Sequence, residues 1–272
     1  MLSSADIAMV NLETAVTTRG TAAVKEFTFR APAAAFIALA SAGIDVATLA
    51  NNHGLDYGPV GLTDTLAAAK AAGFPIVGIG VTAAEAYAPW RTEVNGQRIA
   101  VIGATQVIDS QFITSWTATD TQAGLASAKN VDRLVAAVKA ARTDSDTVVV
   151  YLHWGTERVS CPNPQQKELA SALQAAGADI IVGGHAHVLV GAGMLDNAFV
   201  DFGLGNYFFY ATSGNRADSG AVKVQATGHR IDGYQFVPAR ISGGQARTLT
   251  GGAADAAVKA WGALRPCTGL TP

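Results

Sequence analysis

The residues best suited to chemistry lie in the segment Ile180-Ile-Val-Gly-Gly-His-Ala-His-Val188, which carries two histidines one residue apart. The apolar run from Asp179 to Val182 predicts a short buried strand. The two glycines that follow permit positive φ angles and close backbone approach at a turn. His185 and His187 would then emerge at the carboxyl end of the strand, the edge where open α/β sheets bind ligands. An extended His-x-His pair places both rings on one side, which suits a metal ion; two hydrogen-bonded or solvated loop histidines are the alternative.

Other polar residues follow apolar strand-like runs in the same way, whereas His229 lies in an ordinary polar turn and is assigned to the surface. A single strand-end histidine is more often a structural residue, but four of the five histidines occupy such positions. If the strands are parallel neighbours, their carboxyl ends converge on one cleft that contains Glu13, Asn52, His53, His153, His185 and His187. A carboxylate, an amide oxygen and imidazoles together suit Mn²⁺, Fe or Zn²⁺ and argue against Ca²⁺, which prefers oxygen ligands. The absence of ligating cysteine argues against a structural zinc site.

The bulk composition excludes several classes of protein. The chain has 272 residues, of which 49% are hydrophobic and 15% charged, so a sizeable core is expected and global disorder is not. With a net charge of −2 and no Lys/Arg-rich run, no nucleic-acid surface is indicated. No apolar stretch approaches the roughly 18–20 residues of a membrane helix, and the first residues do not form a signal peptide. Cys161 and Cys267 are compatible with one disulfide or with two reduced thiols.

The elements that would position these residues alternate between strands and helices. Strands are predicted at Asp6–Val10, Ile44–Leu49, Pro75–Ile79, Thr147–Leu152, Phe199–Phe202, Gly220–Thr227 and Tyr234–Ile241. Helices are predicted from about Pro32 to Ala42, Val60 to Ala72, Val131 to Arg142, Pro164 to Gly177 and Ala253 to Leu264. Asn95-Gly96 predicts a hairpin, and the polar residues 106–128 predict a long surface loop. No repeat or linker divides the chain, so a single domain over residues 1–272 is predicted, with the last helix packed on it.

Several motifs occur in order along most of the chain, from about Asp6 to Phe209. They are Asn11-Leu-Glu13, Ala50-Asn-Asn-His53-x-x-Asp56-Tyr-Gly58, His153-Trp-Gly155-x-Glu157, Gly184-His-Ala-His187-Val and Leu204-Gly-Asn206-Tyr-Phe. This ordered set resembles the CapA/PgsA family of poly-γ-glutamate capsule biosynthesis proteins, in the calcineurin-like metallophosphoesterase superfamily. The resemblance implies a four-layer α/β/β/α sandwich, in which two mixed β-sheets are flanked by helices.

The resemblance also implies a site for two divalent metal ions, Mn, Fe or Zn. Glu13 matches the bridging carboxylate. Asn52, His153 and His185 match ligands of one metal, and His187 matches a ligand of the other. Family members usually begin with a strand that ends in Gly-Asp, whose aspartate binds the first metal, and no such strand precedes residue 6. We therefore expect a truncated start or a lost ligand, with a first metal site that is incomplete.

The same resemblance assigns catalytic and substrate-binding roles. His53 matches the histidine that contacts the scissile phosphate or protonates the leaving group, and Asp56 would orient it. Arg30, Glu157 and Asn206 are candidates for contact with an anionic substrate, with loop residues that face water as the alternative. The implied activity is metal-dependent phosphoester hydrolysis or transfer, in which metal-activated water attacks and His53 acts as general acid.

Two further readings remain open alongside this enzyme. The first is a non-catalytic cell-surface accessory protein for poly-γ-glutamate assembly or export, and the second is an α/β protein whose histidines are structural. The family usually works outside the cytoplasm, often behind an amino-terminal anchor, so an extracellular or cell-envelope location is expected. Such a location would allow a Cys161–Cys267 disulfide, with two free thiols as the alternative. The implied partners are an anionic small molecule or polymer and the membrane proteins of capsule synthesis.

Overall fold

The computed structural model describes residues 2–210 and 213–272. Its strands are β1 Met9–Asn11, β2 Ala15–Val16, β3 Arg30–Ala31, β4 Val46–Thr48, β5 Ile76–Val77, β6 Ile79–Gly80, β7 Trp90–Val94, β8 Gln97–Thr105, β9 Gly124–Leu125, β10 Thr147–His153, β11 Ile180–Gly184, β12 Ala192–Leu195, β13 Ala198–Asp201, β14 Asp218–Thr227, β15 Arg230–Ser242 and β16 Gln245–Thr248. Its α-helices are α1 Ala34–Ser41, α2 Gly58–Ala72, α3 Ala83–Ala86, α4 Ile113–Trp116, α5 Val131–Arg142, α6 Pro164–Ala176 and α7 Gly251–Gly262.

The chain folds into two compact units, each built from separate segments of the chain, and the chain passes between the units within the hairpin of β7 and β8. The amino-terminal unit comprises Leu2–Thr92 and Val101–Ala137, and the carboxy-terminal unit comprises Glu93–Ala100 and the described residues from Val138 onwards. Parallel and antiparallel sheets occur together with helices, which confirms the predicted mixed α/β class. None of the helices in the described part of the chain combines the length and the apolarity needed to cross a bilayer.

The amino-terminal unit contains a three-stranded parallel sheet in the order β1-β4-β5. The three strands are short, and each ends in a polar or glycine-containing loop. One core cluster of this unit is centred on Phe36 of α1 and on Phe74, which follows α2. Helix α2 ends at Gly73, whose φ of 61° provides the left-handed cap that the sequence indicates. The sheet and its helices thus fix the loops after β1 and β4.

The carboxy-terminal unit is built on β10, β11 and β13, which are parallel neighbours in a six-stranded sheet of order β12-β13-β11-β10-β8-β7. Helix α6 precedes β11, and its capping box between Asn163 and Gln166 confirms the predicted helix start. An antiparallel sheet of β14, β15 and β16 follows. Helix α7 packs on β15, where the Trp261 ring stacks on Phe236 with centroids 4.8 Å apart.

Three predicted elements differ from the structure. The first strand is Met9–Asn11 rather than Asp6–Val10, because residues 6 and 7 form a bend. The strand predicted at 75–79 divides into β5 and β6 at Gly78, whose φ is 89° and whose backbone packs against Ala50. The surface loop predicted at 106–128 is wrong, because it contains α4 and β9 and buries Trp116 and Leu125. Helix α4 has four residues and β9 only two, so both are too short for a periodicity argument to detect.

Candidate metal centre

Three imidazoles come together in the carboxy-terminal unit. His153 is the last residue of β10, is fully buried and lies beside Gly184 of β11 in the sheet register. The ring centroids of His153 and His185 are 4.8 Å apart, and those of His185 and His187 are 6.1 Å apart. Parallel pairing of β10 and β11 therefore brings His153, His185 and His187 to one edge of this sheet.

The backbone that presents two of these imidazoles is not extended. His185 has a φ of 90° and His187 a φ of 55°, so the predicted extended His-x-His geometry is wrong. Left-handed φ angles are costly for residues with a Cβ atom and are concentrated at functional sites. The positive φ angles thus fall on the histidines rather than on the glycines that precede them.

The two glycines matter because they permit close approach. A Cβ atom on Gly183 would lie 2.2 Å from Nε1 of Trp154 and 2.4 Å from the carbonyl oxygen of Phe202. A Cβ atom on Gly184 would lie 2.9 Å from the Tyr151 hydroxyl. Trp154 is fully buried and its Nε1 donates a hydrogen bond to the Phe202 carbonyl at 3.0 Å. The indole next to His153 can therefore pack against β11 only because position 183 has no side chain.

Asn206 forms the hydrogen-bonding environment of His187. Its Oδ1 lies 2.7 Å from Nδ1 of His187, and its Nδ2 donates to the carbonyl oxygens of His187 and Arg216, both at 3.2 Å. The Phe209 ring stacks on the imidazole with centroids 5.2 Å apart. Asn206 is buried, with 7% exposure, so the alternative of a loop residue that faces water is wrong.

In the amino-terminal unit, His53 and Asp56 form a buried pair. His53 Nδ1 is 2.6 Å from Oδ2 of Asp56, which also accepts a hydrogen bond from the Phe29 backbone N–H at 2.6 Å. The Phe29 ring lies 4.3 Å from the His53 ring, and the His53 backbone N–H donates to Oδ1 of Asn51 at 2.9 Å. The structure places Asp56 where it can orient His53, and the catalytic role of the pair stays a prediction.

Lys25 is a member of this group that the sequence did not reveal. Its Nζ donates to the backbone carbonyl of Asn52 at 2.5 Å and lies 3.2 Å from Oδ1 of Asp56 and 3.1 Å from Oδ2 of Asp109. The same ammonium lies 5.3 Å from the Trp116 ring centroid, and the side chain is only 7% exposed. A lone lysine in a polar segment carries no pattern that distinguishes it from a surface residue.

The loop after β1 is held by amide side chains. The Asn11 amide donates to Oε2 of Glu13 at 3.1 Å, and the buried Asn51 amide donates to Oδ1 of Asn11 and to the Leu12 carbonyl, at 2.9 and 3.0 Å. Asn51 thus links the loops that carry Glu13 and Asn52, a role that the Asn-Asn-His motif does not specify. Histidine and glutamate side chains that could hold a metal ion are present in the described part of the chain: Glu13, His153 and His185.

The two remaining candidates for substrate contact lie on the surface. Arg30 is exposed, and its guanidinium lies 4.9 Å from the ring centroid of Tyr57. Glu157 is exposed in the turn after β10, next to Arg158, whose backbone N–H donates to the Ala186 carbonyl at 2.7 Å. The exposure of Arg30 and Glu157 is compatible with contact to a substrate and with contact to water alike, so a role in substrate binding stays a prediction.

Of the two alternatives left open for the cysteines, the structure has the disulfide. The sulfur atoms of Cys161 and Cys267 are bonded, with Cα atoms 5.8 Å apart and a sequence separation of 106. The bond joins the segment before α6 to the turn that follows α7. His229 is exposed, with its Nδ1 3.8 Å from Oδ1 of Asp179, as expected of a surface residue.

The donor set of these residues fits a divalent cation of the Mn, Fe or Zn class. The three imidazoles of the carboxy-terminal unit, which have no thiolate among them, are nitrogen donors of the kind that these cations bind. The hydrogen bond from His187 to Asn206 is the type of interaction that orients metal-binding histidines in proteins.

The class of the fold is shown by solved structures. A hypothetical protein from Thermus thermophilus aligns with a TM-score of 0.54 at 15% identity, covering 88% of this chain and 89% of that protein. A putative 5′-nucleotidase from Staphylococcus aureus, in complex with α-ketoglutarate, aligns with a TM-score of 0.50 at 18% identity, covering 80% of this chain and 42% of that protein. The fold is therefore of the 5′-nucleotidase-like metallophosphoesterase type, as predicted.

The sequence identifies the family. The bacterial capsule synthesis protein PGA_cap family matches residues 1–211, and the chain belongs to it. The capsule biosynthesis protein CapA of Bacillus anthracis is 35% identical over 217 residues, which are 78% of this chain and 52% of that protein. The PGA biosynthesis protein CapA of Bacillus subtilis (strain 168) is 33% identical over 190 residues, 70% of this chain and 49% of that protein. The chain thus spans about half the length of these relatives, and the predicted family is confirmed.

Proposed function

We propose that this chain is a metal-dependent phosphoesterase-like protein of capsule and poly-γ-glutamate synthesis. The observation that carries the proposal is the cluster of three imidazoles at one sheet edge, two of them on left-handed backbone. A fold of the metallophosphoesterase type supports the same conclusion. The proposal treats residues 1–272 as one catalytic domain on which α7 packs.

The residues divide into ligands and proton-handling groups. Glu13, Asn52, His153 and His185 would hold one cation, and Glu13 with His187 would hold a second. When bound, cations of this class polarise a phosphoryl oxygen and lower the pKa of a coordinated water.

His53 would donate a proton to the leaving oxygen, a task for which imidazole is suited near neutral pH. The Asp56 carboxylate, whose Oδ2 lies 2.6 Å from Nδ1 of His53, would hold the imidazole ring in a fixed orientation. Lys25 holds Asp56 and the Asn52 carbonyl at fixed positions.

The substrate is proposed to be anionic, either a small phosphoester or the capsule polymer. Arg30 provides an exposed cation for such a substrate, and Glu157 is exposed beside Arg158. Asn206 would contact the substrate only if its hydrogen bonds to His187 break when the substrate binds. The proposed location is the cell envelope, with capsule-synthesis membrane proteins as partners.

The activity test uses a chromogenic phosphodiester and Mn²⁺. We expect turnover by the wild type and its loss in His153→Ala, because the substitution removes a ligand from the buried end of β10. The matched control is His229→Ala, which removes an exposed histidine and should leave the rate unchanged. The proposal is refuted if no divalent cation supports turnover by the wild type, or if both variants lose activity equally.

A second candidate function is a non-catalytic accessory role in polymer assembly or export. The name of a relative favours it: a probable polyglutamine synthesis accessory protein of Mycobacterium tuberculosis is 31% identical over 197 residues, 68% of this chain and 50% of that protein. Metal analysis of the purified protein separates the two candidates. Two bound ions per chain support the enzyme, whereas one or none supports the accessory role.

A further inference from the structure

We propose that Asn206 is the positioning residue that fixes His187 as the Nδ1–H tautomer and thereby presents its Nε2 lone pair to a cation. The inference rests on the proposed function only for the identity of what Nε2 binds. The tautomer itself follows from contacts within the carboxy-terminal unit.

The orientation of the Asn206 amide is determined by its neighbours. Its nitrogen faces two backbone carbonyl oxygens, those of His187 and Arg216, and both of its N–H groups are used there. A carbonyl oxygen only accepts hydrogen bonds, so an exchanged amide would place oxygen against oxygen twice. The atom that faces Nδ1 of His187 at 2.7 Å is therefore Oδ1.

This orientation decides where the imidazole proton lies. Because Oδ1 can only accept, the hydrogen of the bond belongs to Nδ1 of His187. A neutral imidazole with its proton on Nδ1 has its lone pair on Nε2, and a lone pair is what a cation requires. The tautomer is thus set by the protein before any cation arrives.

Asn206 also supports the strained backbone of the residue it orients. The same amide that accepts the hydrogen bond from the ring also donates one to the backbone carbonyl of His187, a residue whose φ is 55°. The backbone of Asn206 is itself anchored, because the Ser219 hydroxyl donates to the backbone carbonyl oxygen of Asn206 at 2.5 Å. The ring and the main chain of His187 are therefore held by the side chain of one residue, Asn206, whose own backbone is bonded to β14.

The test begins with metal-free protein that carries ¹⁵N-labelled histidine. Long-range ¹H–¹⁵N spectra report the tautomer of each ring, and the His187 signal is assigned by its loss in His187→Gln. We expect the Nδ1–H form in the wild type and a shift towards the Nε2–H form in Asn206→Leu. The matched control is Asn197→Leu, which removes an exposed amide bonded to Gln174 and should leave His187 unchanged.

Calorimetric titration with Mn²⁺ and Zn²⁺ gives the second readout. We expect binding to weaken about 10- to 100-fold in Asn206→Leu, the range typical of lost partners of ligating histidines, and to be unchanged in Asn197→Leu. An Nε2–H signal for His187 in the wild type overturns the inference, and so does an unchanged tautomer in folded Asn206→Leu. If that variant does not fold, the wild-type spectrum alone decides the tautomer. A wild type that shows the Nδ1–H form but binds neither cation refutes the proposed function and leaves the positioning role in place.

Discussion

Trp154 and Gly183 pack so closely that no residue with a Cβ atom fits at position 183. A Cβ atom there would lie 2.2 Å from the indole nitrogen, which donates to the Phe202 carbonyl. Because the indole follows His153 directly, the contact couples packing of the core to the position of a candidate ligand. The pair therefore gives a test that does not depend on catalysis.

We predict that Gly183→Ala destabilises the protein by about 1–3 kcal/mol, the usual cost of overpacking a filled core. The measurement is the urea midpoint of unfolding followed by tryptophan fluorescence. Gly252→Ala is the matched control, since a Cβ atom at this position in α7 would meet no atom within 4 Å. It should be neutral or slightly stabilising. Equal stability of the two variants would contradict the packing argument.

The second prediction concerns Lys25, whose ammonium is shared by Asp56 and Asp109. Lys25→Met leaves the fully buried Asp56 carboxylate without its cation, and we expect a loss of about 3–5 kcal/mol in the free energy of unfolding. The control is Arg98→Met in the exposed pair with Asp146, where about 1 kcal/mol or less is expected. Chemical denaturation of both variants checks the contrast, and a loss at Lys25 no larger than that at Arg98 would show that the ammonium is not part of a buried network.

Much of the candidate site was predictable because it depends on local patterns. The β-branched run before His153 and the capped helix before β11 specify two parallel neighbours, whose carboxyl ends must share an edge. The hairpin at Asn95-Gly96 was predictable for the same reason, since both residues have the positive φ angles that its turn requires.

What the sequence could not reveal depends on contacts between distant segments. Lys25 reaches Asp56 and Asp109 through tertiary packing, and nothing in its neighbourhood marks it as buried. Asn206 was predicted only as a possible substrate contact, because its hydrogen bonds to His187 depend on how β13 and β14 place the loop between them. The left-handed φ angles of His185 and His187 are a property of that packing rather than of their residue type.

The third prediction concerns the disulfide. In Cys161→Ser with Cys267→Ser, we expect a loss of about 2–5 kcal/mol, since the bond closes a loop of 106 residues and restricts the unfolded chain. Thermal unfolding of the double variant, beside the wild type with and without reductant, provides the measurement. The expectation would be contradicted if the thermal midpoint of the wild type were the same with and without reductant, while reaction with a maleimide showed that the disulfide had been reduced.

Asp201 is a buried carboxyl group in the six-stranded sheet. It is the last residue of β13, lies beside Val182 and Ala192 in the register and is fully buried. Burial raises its pKa to about 7, although the Gly203 backbone N–H donates to Oδ1 at 2.9 Å and opposes the shift. Its Oδ2 has no hydrogen-bond partner among the described residues. The folded protein therefore holds a proton on this group that an ordinary aspartate loses near pH 4.

This difference in pKa predicts a stability that falls as the pH rises. Between about pH 4 and pH 7 the unfolded chain releases the Asp201 proton while the folded protein keeps it, so the free energy of unfolding decreases across that window. The decrease is on the order of 4 kcal/mol at most and is complete above the folded pKa. Asp201→Asn keeps the acceptor for the Gly203 N–H and has no proton to lose, so its stability relative to the wild type should rise from pH 5 to pH 8. Urea titrations at several pH values measure the two slopes, and parallel slopes would show that Asp201 ionises normally in the folded protein.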